Sequence, residues 1–181
     1  MTWMWWAIGI GVLLIFGLYL SQVAGRVDRL HLRIEAAANA LEVQLARRSG
    51  VVSEIAGSGI LDPASSVVLG EAAAAAREVE PDDFDAVSIV ESELTGALAA
   101  AFAEREDVEV LDEIPEVPMA DVLETACRRV QLARRFHNDA VRSCLAIRQR
   151  RLVQLFGLAG HTPLPTTIEL DDAIPSGFGS R

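Results

Sequence analysis

The sequence predicts an all-α chain: an N-terminal transmembrane helix followed by an antiparallel up-down helical bundle of two long and two shorter helices. Three observations predict it. Residues 3–24 carry no charge. Leu123, Ala126, Val130, Ala133, His137, Ala140, Cys144 and Ile147 recur in steps of three and four over a stretch free of Gly and Pro. That is the seam of a helix packed on other helices. Nowhere do aromatic and β-branched residues alternate with the period of two that marks a strand.

Taken in order, residues 3–24 would span about 33 Å as a helix, enough to cross a bilayer. Trp3, Trp5 and Trp6 mark one interface and Tyr19 lies near the other. The stretch is a poor cleaved signal peptide, because no positive region precedes it and its apolar run is too long. Arg26, Arg29 and Arg33 follow it closely and no base precedes it. Positive-inside then places the N-terminus outside and the rest in the cytoplasm. Gly17, Ser21 and Gly25 form a small-xxx-small row of the kind that lets two membrane helices touch.

The span continues into a long helix to about Ile55, with Val27, Leu30, Ile34, Ala37, Leu41, Leu45, Val52 and Ile55 inward. Gly57 to Gly59 ends it. Asp62-Pro63 is a helix start, an N-cap acceptor followed by proline at the first helical position. That second helix runs to about Glu80 with Val68, Ala72, Ala75 and Val79 inward. Pro81 stops it. Asp82 or Asp83 caps a third helix reaching about Arg105, with Phe84, Val87, Val90, Leu94, Ala97 and Ala101 inward. Glu106 to Pro118 reads as an acidic loop. The last helix runs from Met119 to Phe156, and from Gly157 a Pro- and Gly-containing tail begins. The expected domains are an anchor over 1–25, a bundle over 26–157 and a flexible tail over 158–181. Within the tail Ile168, Leu170 and Ile174 alternate with acids; a plain disordered end is the expectation and a short partner-binding segment the alternative.

Charge and motif content bound the function. The net charge is −10, which argues against a nucleic-acid binder. Between Glu54 and Glu124 the only bases are Arg77 and Arg105, whereas the last helix is crowded with arginine. Complementary faces of one bundle account for that split; an acidic docking patch for a partner is the alternative. Cys127 and Cys144 lie about 25 Å apart along one helix, far beyond the ~7 Å reach of a disulfide. Neither His31, His137 nor His161 has a partner at metal-ligand spacing, so no metal or cofactor site is expected. No phosphate loop and no Gly-x-Ser-x-Gly element is present, and the chain reads as a non-enzyme. His137 is expected in the core with one hydrogen bond; Asn138 and Asp139 beside it read as boundary residues, with a buried polar contact of Asn138 that fixes register as the alternative.

Two blocks carry a resemblance. Val43-Gln44-Leu45 followed by Arg47-Arg48 is one. Ala133-Arg134, then His137-Asn138, then Leu155-Phe156-Gly157 is the other. With the uncharged N-terminal span, these resemble the LemA family of bacterial membrane-anchored helical proteins over roughly residues 1–158. His137 stands where that family carries Tyr, and Cys127 where Glu is usual. The resemblance implies a helical bundle on a single-pass anchor with a small external N-terminus, and assigns no active site. The expected function is a non-enzymatic membrane-anchored scaffold or adaptor presenting a cytoplasmic helical bundle to other membrane or cytoplasmic proteins. The alternative is a membrane-associated structural homo-oligomer assembled through the anchor and the bundle. The expected partners are thus the lipid bilayer, proteins, and a second copy of the chain.

Overall fold

The structure is a computed structural model that describes residues 2–113, 118–149 and 164–180. The chain is all-helical, with no strand among the described residues. Helix α1 runs over Thr2–Gly57, α2 over Pro63–Glu78, α3 over Phe84–Ala101, α4 over Arg105–Glu109 and α5 over Met119–Arg148. A 3-10 turn, Val110–Glu113, extends α4, and another, Ser176–Ser180, closes the described chain. Two compact units are formed: Met1–Ala36 with Asn138–Thr167, and Ala37–His137 with Ile168–Arg181.

The caps behave as their residue types require. Asp62 Oδ1 accepts from the N–H groups of Ala64 (2.9 Å) and Ser65 (3.1 Å), and Pro63 takes the first helical position. Asp83 Oδ1 accepts from the Ala86 N–H (3.0 Å) and starts α3. These contacts satisfy N–H groups that a helix start otherwise leaves unpaired. Helix α1 passes through Gly25 without ending.

Several expectations need correction. Helix α3 stops at Ala101 rather than near Arg105, because Phe102 leaves the helical register and buries itself completely. The chain then turns by 100° into α4 and its 3-10 extension, where an open acidic loop was expected. Val108 and Leu111 supply the reason, since both are buried. The buried face of α2 is Leu69 and Ala73, while Val68 is exposed; that of α3 is Val87, Glu91, Leu94, Thr95 and Leu98. The face of α2 is rotated from the expected row; on α3 Val87 and Leu94 are buried as expected and Ala97 and Ala101 pack partly buried on the core, but Glu91, Thr95 and Leu98 join them. A run of alanines leaves the phase of α2 open, and on α3 a charged side chain lies on the inward row. On α5 the expected row is buried from Leu123 to Cys144, including His137. The end of the expected last helix, with Phe156, lies outside the described residues.

The main correction concerns the tail. From Ile168 to Ser180 it is a packed strap within the second unit. Ile168 and Leu170 join Leu41, Leu45, Val87, Val130 and Ala133 in one core cluster. Phe178 joins Val52, Ile55, Leu94, Leu98, Phe102 and Leu123 in the other, and meets Phe102 edge-on at 6.2 Å. Gly177 N–H donates to the Phe102 carbonyl (3.2 Å). A Cβ on Gly177 would fall 2.3 Å from the Glu104 carbonyl oxygen, so only glycine fits this crossing. The alternation of Ile168 and Leu170 with acids thus marks a half-buried extended segment.

Truncating Phe178 to alanine is expected to lower the unfolding free energy by about 3–5 kcal/mol, the usual cost of deleting a buried aromatic. Urea denaturation of the full chain measures it, and an unchanged midpoint would mean the strap does not hold the core.

Candidate functional site

The site worth building lies in the second unit, where α1, α3, α5 and the strap share polar contacts. On α1 the apolar row Leu41, Leu45, Val52, Ile55 leaves a position at 48, three residues after Leu45, and an arginine fills it. On α3 the row leaves a position at 91, and a glutamate fills it. Arg48 and Glu91 are each only 1% exposed, and they meet. Arg48 Nη2 pairs with Glu91 Oε2 and donates to the Glu91 backbone carbonyl (3.1 Å). Its Nη1 donates to Thr95 Oγ1 (3.1 Å), while its Nε finds no acceptor among the described residues. Burial pushes the Glu91 carboxyl above its usual range, and the charge and hydrogen bond of Arg48 oppose that push.

Thr95 passes the network outward. Its hydroxyl donates to the Asp171 carbonyl (2.7 Å), and the Asp171 N–H donates to Ser92 Oγ (2.9 Å). From the other side Gln131 Nε2 donates to the Asp172 carbonyl (2.7 Å). Arg134 forks onto the Asp172 carboxylate at 2.7 and 3.1 Å, the bidentate geometry that suits a guanidinium. The hydrogen bond to Asp172 holds the Arg134 guanidinium even more firmly in its charged form.

Beside this network lies a groove of about 250 Å³. Its walls are Ala38, Leu41, Leu45 and Ala46 of α1, with Val79, Pro81, Phe84 and Val87 from the α2–α3 junction, and Ile168 of the strap. Glu91, Asn39, Glu42, Arg77 and Asp82 also line it. This lining would hold an apolar side chain among mostly acidic polar groups.

The residues singled out from sequence fall as follows. Leu45 and Ala133 meet in one core cluster, Arg48 is the buried cation, and Arg134 clamps the strap. Val43 and Arg47 are exposed and Gln44 is half-buried. His137 is buried, with Phe84 edge-on at 5.6 Å. Asn138, also buried, falls in the other unit. There, Trp3, Trp5, Trp6 and Tyr19 are exposed, as are Arg26, Arg29 and Ser21, and nothing lies within 4 Å of where a Cβ on Gly17 or Gly25 would stand. Both cysteines are free and buried, and burial pushes the Cys127 thiol up. Among the described residues no group of three His, Cys, Asp or Glu side chains is placed to hold a metal ion. Sequence inspection missed Glu91 and Thr95. Their signal was present: a charge of each sign interrupts an apolar row, one on each of two different helices.

No protein-family model, no curated protein and no solved structure matches this chain.

Removing either partner of the buried pair, as Arg48→Ala or Glu91→Ala, is expected to cost about 3–5 kcal/mol, because the other charge stays buried. The double change Arg48→Met with Glu91→Leu should recover most of that loss in chemical denaturation. A pH series gives a second check. With its folded pKa raised, the Glu91 contribution is fully present below the unfolded pKa and lost as pH rises through the folded pKa. Stability relative to Glu91→Gln should therefore fall as pH rises through that window. A rise instead would mean that attraction to Arg48 outweighs burial.

Proposed function

We propose that this chain is a non-enzymatic membrane-anchored scaffold. Residues 3–24 embed as a single-pass helix, the N-terminus lies outside, and the bundle formed by the second unit meets protein partners in the cytoplasm. The observation that carries this reading is the surface of the first helix. Trp3, Trp5, Trp6, Leu13, Leu14 and Ile15 are each at least 65% exposed, so large apolar side chains stand uncovered on several sides of the helix among the described residues. Such a surface needs a bilayer or another helix against it. By length and hydropathy alone no single helix among the described residues is long and apolar enough to cross a membrane, and Trp3–Tyr19 counts as a shorter apolar stretch. The uncharged sequence runs on to Ala24, and the interfacial aromatics and the arginines after it supply the anchors. Kinship with the LemA family, proposed on the two blocks above, agrees with this reading.

A specific observation favours a second reading, a structural homo-oligomer. The Gly17–Ser21–Gly25 row faces open space in its own chain, so a second anchor helix could approach closely there.

The anchor is tested by alkaline extraction of membranes from cells expressing the full chain. The protein should stay with the lipid pellet; release to the supernatant would overturn the anchor. Because both native cysteines are buried, introduced ones report topology cleanly. An impermeant thiol reagent should label Thr2→Cys and spare Glu106→Cys, and the reverse pattern would overturn the orientation.

A further inference from the structure

The outward side of α5 carries an apolar pair that is exposed among the described residues. Leu132 is 51% exposed and Phe136 58%, and they are neighbours one helical turn apart. Around them stand Arg128, Arg129 and Arg135, all exposed. Arg128 is held by Glu124 through an i,i+4 pair. Arg129 and Arg135 make no ion pair among the described residues. An exposed leucine–phenylalanine pair flanked by two unpaired cations, Arg129 and Arg135, is the pattern of a docking knob.

The same unit holds the matching socket. The groove between α1 and the α2–α3 junction has room for one aromatic side chain, and its walls are apolar. Its rim and surroundings are acidic: Glu42 and Asp82 line it, with exposed Glu78, Glu80 and Asp85 beside them, against the single base Arg77. Neither Glu42 nor Asp82 has an ion-pair partner among the described residues. Knob and socket are complementary in both hydropathy and sign of charge.

We infer that the socket of one copy receives Phe136 of a second copy, with Leu132 against its edge and Arg129 and Arg135 set against the acidic rim. The inference deepens the homo-oligomer reading and rests on it, but it assigns the contact to the bundle and not to the anchor. Two different patches meet, so the contact is heterologous and leaves a free knob at one end and a free socket at the other. Repetition makes a ring or an open chain of copies. A contact of one aromatic and its surroundings is small, below the size of a stable free dimer interface. Confinement of copies to one membrane surface raises their effective concentration and lets such a contact act.

The test is the size of the cross-linked species formed by the full chain in lipid vesicles across a series of protein-to-lipid ratios. Wild type should grow beyond a dimer as that ratio rises, less so in high salt. Phe136→Asp removes the knob, and Ala46→Trp fills the socket from an exposed wall position. Each variant alone should associate at least tenfold more weakly, with an unchanged melting curve. Mixed in equal amounts they should form a dimer and nothing larger, because only one intact knob and one intact socket remain. A wild type that stays monomeric overturns the inference, as does growth that survives Phe136→Asp. If Gly17→Leu abolishes growth and Phe136→Asp does not, the contact lies between anchors; the homo-oligomer reading then stands and this inference falls.

Discussion

The described body turns on one dry ion pair. Arg48 and Glu91 come from different helices, and neither can be buried without the other, because an isolated charge in an apolar interior costs several kcal/mol. That requirement fixes the rotation of α1 and α3 about their axes. Once Glu91 points inward, Thr95 one turn later does too, and the strap can be reached through its hydroxyl. Replacement of such a pair by apolar residues is often neutral for stability, so the pair is better understood as a selector of phase than as a source of net stability.

The strap follows from that phase. An extended segment has backbone groups that no helix satisfies, and α3 and α5 supply partners: Ser92 and Thr95 on one side and Gln131 on the other, while Arg134 holds the Asp172 carboxylate. Its side chains bridge the core, Ile168 and Leu170 in one cluster and Phe178 in the other. The two clusters together are larger than four alanine-rich helices would give by themselves, because alanine buries little area. A segment with Pro165, Pro175, Gly177 and Gly179 cannot be helical over its length, which suits it to crossing helices instead of joining them.

The surface is divided by charge. Acids gather around α2, α3 and α4, and arginines on the outward side of α5. Some arginines are used internally, Arg134 on Asp172 and Arg142 on Asp139. Beside Leu132 and Phe136, Arg128 is held by Glu124, whereas Arg129 and Arg135 make no ion pair among the described residues. A net charge of −10 keeps copies apart in general, so any association has to place the basic side of one against the acidic side of another.

Much of this was legible in the sequence, and the reason is periodicity. The seam of α5 from Leu123 to Cys144, the caps at Asp62 and Asp83, and the uncharged stretch from Trp3 to Ala24 are local patterns that residues within a few turns determine by themselves. The phase of α2 was not local, nor was the inward turn of Glu91 and Thr95 on α3. Alanine runs present a similar face at every rotation, and only the need to bury Leu69 and to bring Glu91 onto Arg48 chose one. The strap was likewise hidden: composition marks residues 158–181 as a loose end, and nothing near them in sequence says where Asp172 will find Arg134. Helices and their ends are settled by neighbours along the chain, whereas the ion pair, the strap and the groove depend on partners dozens of residues away, which only the folded arrangement brings together.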